Sequence, residues 1–140
     1  MLRFKQLMLE DIAHEQNVQK HVDDFMQHAK DYLKLDQLPQ VRLINSKKLA
    51  QDNASFGGYY PGEKKIEVNI AGRHPVDILR TLGHELVHYR QDLNGKLEDV
   101  AMAGETGSTY ENEANSEAGI MMRNYGRSKP SIYESYRKQI

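Results

Sequence analysis

Two histidines four residues apart, with a glutamate after the first, constrain this chain more than any other feature: His84-Glu85-Leu86-Val87-His88. The spacing has chemical use on a helix. There, residues i and i+4 stand one above the other on the same face, and two imidazoles can grip one metal ion. Residues at i and i+2 would diverge. The surrounding sequence supports a helix over residues 75–93. Pro75 suits the first helical position, and Asp77 suits the positive end of the helix dipole. Leu79, Leu82, Leu86, Val87 and Leu93 form an apolar stripe, and Asn94-Gly95 is a stop signal.

A helix bearing His-Glu-x-x-His is the pattern by which zinc peptidases hold their metal, with the glutamate beside the first ligand acting on water. The chain has no cysteine, so a thiolate site is excluded and any metal must rest on His and carboxylate. Zinc is the expected cofactor. A catalytic zinc takes three protein ligands and keeps one position open. One zinc-peptidase pattern adds a Gly and a third His shortly downstream. Here those places hold Gln91 and Asn94, and no His follows His88. A carboxylate on a later helix remains.

That later helix is signalled by Ser108-Thr109-Tyr110-Glu111, a capping box with a hydroxyl first and a carboxylate three residues on. It should run to about Asn124 and end at Gly126. Tyr110, Ala114, Ala118 and Met121 or Met122 form its buried stripe. Four acids are candidates for the third ligand. Glu105 lies in the polar segment 96–107, read as a surface loop, where positioning would be poor. Glu111 reads as engaged in the cap. Glu113, inside the helix, is the expected ligand, and Glu117, one turn later, is the alternative or a hydrogen-bond partner of a ligand imidazole.

The remaining chain predicts an α+β domain. Residues 12–35 read as an amphipathic helix, and residues 41–45 as a short strand. Residues 47–50 could form a helical turn. Residues 54–60 and 65–70 flank a Pro61-Gly62 turn and read as a hairpin with Ile66, Val68 and Ile70 on its buried face. Gly57 and Gly58 mark either a flexible stretch or a place where another part of the chain comes close. His14, His21 and His28 fall seven apart, ~10.5 Å along a helix, too far for neighbours to share a metal. They read as a boundary face, and His74 as a loop or cap residue. The domain is assigned to residues 1–126, and residues 127–140 are read as a tail.

His84-Glu85-Leu86-Val87-His88 followed by Glu111-Asn112-Glu113-Ala114-Asn115-x-x-Ala118 resembles the gluzincin arrangement. It is most similar to small peptidases of the ImmA/IrrE type and to short zincin-like proteins of tailed phages. The resemblance covers roughly residues 56–125. It implies a minimal zincin fold: a helix, a small twisted sheet, the signature helix and a helix carrying the third ligand. Glu117 stands where many gluzincins carry Asp.

The expected chemistry is hydrolysis of a peptide or protein substrate. His84, His88 and Glu113 would hold zinc, Glu85 would act as general base, and Tyr110, Tyr89 or Tyr125 would be the candidate donor to the oxyanion. The substrate would add a strand at residues 66–70 or 56–60. The alternative is a zincin-fold binding, assembly or regulatory protein without turnover. With 19 basic and 20 acidic residues, the chain lacks the basic excess of a general nucleic-acid binder. It has no apolar run long enough for a membrane span and no secretory signal at its start, so a cytoplasmic location is expected.

Overall fold

The structure is a computed structural model that describes residues 2–53, 56–96 and 108–133. The expectations for the 96–107 loop, including Glu105, and for the last part of the tail lie outside the described residues, apart from Lys96. The chain runs α1 (Leu2–Leu33), β1 (Gln40–Ile44), α2 (Lys47–Asn53), β2 (Gly57–Tyr60), β3 (Lys65–Asn69), α3 (Pro75–Leu93), α4 (Thr109–Ser128) and a 3-10 turn (Pro130–Tyr133). The class is α+β.

The three strands form one sheet in the order β1-β3-β2. β2 and β3 make the expected antiparallel hairpin, with Gly57 opposite Val68 and Tyr60 opposite Lys65. β1 joins the other side of β3 in parallel, with Val41 opposite Ile66. β3 is therefore paired along both sides, so residues 66–70 do not offer the edge considered for strand addition; among the described residues β1 and β2 are the outer strands. Ile66 and Val68 are buried and Lys65 and Glu67 half-buried, as alternation requires, but Asn69 at the strand end is buried too, its amide donating to the Ser46 carbonyl.

The core forms where α1, the sheet, α3 and α4 meet. Val22 and Phe25 of α1 join Leu82 and Leu86 of α3 and Met121 and Tyr125 of α4. Leu93 does not belong to the stripe on α3 and is exposed. α1 starts ten residues before the expected position. It ends through Lys34, whose φ of 56° is left-handed. The Leu35 N–H then returns to the Lys30 carbonyl at 3.0 Å, closing the helix end where glycine is usual.

Two glycines set distances that the site depends on. A Cβ on Gly83 would lie 3.4 Å from the Cα, the Cβ and the Cε of Ala118 and Met121, so α3 and α4 pack at nearly their closest approach. A Cβ on Gly57 would lie 2.6 Å from Thr81 Cγ2 and 3.8 Å from Glu85 Cγ. Gly57 thus lets β2 lie against the signature helix, a close approach rather than mere flexibility. Gly126 does not stop α4. A side chain there would collide with the ring of Tyr133, and the helix continues to Ser128. Ile132 after it is fully buried in the core, so residues 130–133 of the expected tail pack with the domain.

The three histidines of α1 belong to packing. His14 Nε2 meets the Ile70 carbonyl at 3.1 Å, and His21 Nδ1 meets Tyr125 Oη at 2.9 Å. His28 lies edge-on to Tyr125.

Candidate metal centre

α3 spans the expected residues and starts as its sequence dictates. His74 is the N-cap, its Nδ1 accepting the Val76 N–H at 3.0 Å, and Pro75 follows. One turn of this helix separates His84 from His88, and their Nε2 atoms face each other at 3.2 Å. Ligand atoms of His84, Glu85 and His88 all lie within 4.8 Å of one another, a group that could hold a metal ion.

The carboxylate that closes this group from α4 is Glu111. Its Oε1 is 2.7 Å from His84 Nε2, and its Oε2 is 3.2 Å from His88 Nε2. Glu85 stands further back, its Oε1 3.8 Å from His84 Nε2. From the sequence Glu111 reads as engaged in the cap, with Glu113 as the expected ligand. The cap forms at the backbone, where Ser108 Oγ accepts the Glu111 N–H at 3.1 Å, and this leaves the carboxylate to turn toward α3.

Glu113 is not brought to the imidazoles. Two residues rotate a helix by ~200°, so Glu111 and Glu113 leave α4 on different sides and reach different residues of α3. Glu113 Oε1 accepts from Gln91 Nε2 at 2.9 Å and lies 3.9 Å from Arg90. Glu117 is also directed elsewhere, its Oε2 accepting from the Tyr32 hydroxyl at 2.6 Å.

Two amides that the sequence reading missed orient the rings. His84 Nδ1 donates to Asn115 Oδ1 at 2.8 Å, and His88 Nδ1 donates to Gln91 Oε1 at 2.8 Å. The Gln91 amide can face only one way. Its NH2 donates to the Tyr110 carbonyl at 3.0 Å and to the Glu113 carboxylate, and both are pure acceptors when Glu113 is ionised. The oxygen must therefore meet His88, which fixes the proton on Nδ1 and aims the Nε2 lone pair inward. Gln91 is 1% exposed, so leaving any of these groups unpaired would be costly. Asn115 could have been found from its place four residues after Glu111, once Glu111 was the reference. Gln91 could have been found as the residue three after His88 on α3.

Of the three tyrosines, Tyr89 donates its hydroxyl to the Gln37 carbonyl at 3.1 Å, and Tyr125 meets His21. Tyr110 is half-buried and adjoins Glu111.

Burial shapes the charges. Glu85 is 8% exposed, and loss of solvent pushes its carboxyl up to about 7; nearby His88 pulls it down and Glu111 pushes it up. His84 is held below the usual imidazole range, chiefly by burial, with Glu111 opposing. In the metal-free protein these shifts link stability to pH. Below about pH 4.5, Glu85 is protonated whether the chain is folded or unfolded. As pH rises toward 7, only the unfolded state ionises freely, so the folded state loses stability, on the order of 3 kcal/mol. Glu85→Gln should abolish that loss. Urea unfolding of both metal-free proteins at pH 4.5 and 7.5 checks this, with His84 acting oppositely in both. A wild type that tracks the variant at both pH values would contradict the burial argument.

Comparisons with protein-family models, with curated proteins and with solved structures give no significant match to this chain.

Proposed function

We propose that this chain is a zinc-dependent peptidase with His84, His88 and Glu111 as metal ligands and Glu85 as general base. The observation that carries the reading is the inward convergence of two imidazole Nε2 atoms and one carboxylate. Ligands ~2.05 Å from a tetrahedral zinc lie about 3.3 Å from each other. The two Nε2 atoms are 3.2 Å apart, and the Glu111 oxygens are 2.7 and 3.2 Å from them. Nitrogen and oxygen donors without thiolate suit a hydrolytic zinc. With Glu111 in this role, Asn115 takes the place where the gluzincin resemblance puts an acid.

When bound, zinc supplies Lewis acidity and brings the pKa of water from 15.7 toward about 7. Glu85 takes a proton from the attacking water and hands it to the leaving amine. Its position behind the ligand trio and its raised pKa suit a group that must accept and then release a proton near neutrality. Asn115 and Gln91 keep the ligand rings in the tautomer that leaves Nε2 unprotonated. Among the described residues β2 is the outer strand beside Glu85, so an extended peptide laid along residues 58–60 would run toward the base. Tyr110, whose neighbour is Glu111, is the tyrosine of this proposal that donates to the oxyanion.

The test is a diverse peptide library incubated with zinc-loaded protein and read by mass spectrometry. Cleavage should stop with chelator and resume with added zinc. Retained zinc with no cleavage of any peptide would instead favour a binding module that keeps the metal for structure.

A further inference from the structure

The first three turns of α1 stand away from the domain. Residues 3–13 are all exposed, whereas His14, Val18, Val22 and Phe25 beyond them are buried. The exposed part is not polar all round. Phe4 is 67% exposed, Leu7 53%, Met8 50% and Ile12 45%. Eighteen residues make five helical turns, so Phe4, Leu7 and Met8 lie on the same face as Val22, Phe25 and Met26. The stripe that builds the core thus continues into solvent. A helical stretch of about a dozen residues is marginal in water without packing. This one has a face ready for a partner.

The charges on this stretch identify the partner. Arg3 and Lys5 lie at its start and Glu10 at its end, while Asp11, eighteen residues before buried Ala29, lies on the stripe itself near its inner end. Arg3 and Glu10 are two turns apart on one flank of the stripe. When two such helices pair antiparallel about a two-fold axis, like flanks meet and the start of each lies over the end of the other. Arg3 of each copy then faces Glu10 of the other, and the symmetry makes the pair twice. Parallel pairing would instead bring opposite flanks together, setting Arg3 beside the flank that carries Lys5, with no acid opposite it.

We propose that residues 2–13 form an antiparallel helix pair with a second copy of this chain. Leu7 and Met8 lie near the axis, and two Arg3–Glu10 ion pairs fix the direction. The overlap is about 17 Å long, short for a permanent interface, so the dimer forms and dissociates with concentration.

Sedimentation equilibrium of the full chain tests this. A monomer–dimer equilibrium is expected, with Leu7→Glu monomeric throughout. Arg3→Glu and Glu10→Arg should each weaken the dimer at least tenfold, and the double exchange should restore it. Because Leu7→Glu could also unwind the exposed turns, the restoration by double exchange is the decisive arm. A wild-type chain that stays monomeric at hundreds of micromolar, with the stripe serving another protein or a lipid surface, overturns the proposal. So does a double exchange no tighter than its single variants. Zinc uptake lies outside these residues and should be unchanged in all variants, so failure here is separable from failure of the peptidase reading.

Discussion

Replacing Glu111 with alanine should cost the protein its metal. If His84, His88 and Glu111 share one zinc, Glu111→Ala removes a ligand outright. Disturbing groups that only support ligands already costs about 10- to 100-fold in affinity. A loss above roughly 100-fold is therefore expected. Glu113→Ala is the matched control, since both acids lie on the first turns of α4. Glu113 reaches the site only through Gln91 and His88, so its loss should stay within about tenfold. Competition with a zinc chelator of known affinity measures both. Equal losses would show that the carboxylate facing the rings in the structure is not the one that binds.

The second large effect is on rate rather than binding. Glu85→Gln keeps the side-chain volume and one oxygen but cannot accept the water's proton. Removing a general base typically slows the reaction about 100- to 10,000-fold. Because Glu85 lies 3.8 Å from the nearest imidazole nitrogen, outside the trio, zinc content should remain near one equivalent. Metal analysis together with single-turnover cleavage of a peptide found in the library separates the two outcomes. A variant that hydrolyses as fast as its parent would remove Glu85 from the mechanism.

The sequence revealed the signature helix fully, because its start and stop signals are local: Pro75 at the first position, Asp77 in the first turn and Asn94-Gly95 at the end. The hairpin was legible for the same reason, through Pro61-Gly62 between alternating strands. The choice among Glu111, Glu113 and Glu117 was not local. It depends on how far α4 is rotated about its axis against α3, and that rotation is set by Ala118 against Gly83. Given that contact, Glu111 and Asn115, seven and three residues earlier, fall toward the two imidazoles of α3, while Glu113 meets Gln91 and Arg90 further along the same helix. The capping box misled because it was read as consuming a side chain, when one backbone N–H was enough. The first turns of α1 were missed because they have no start signal and bury nothing within the domain.

The meeting of Gly83 with Ala118 also bears on how the third arm of the trio is held. Nothing ties that arm in place by a covalent link or a long brace. A short acidic side chain reaches across because two rods touch almost backbone to backbone two turns further along. Clearance at that fulcrum therefore governs the aperture of the cage: alanine at position 83 would just fit, whereas a side chain larger than alanine at either pivot would pry the rods apart and carry the acid out of reach, even with every chemical participant intact.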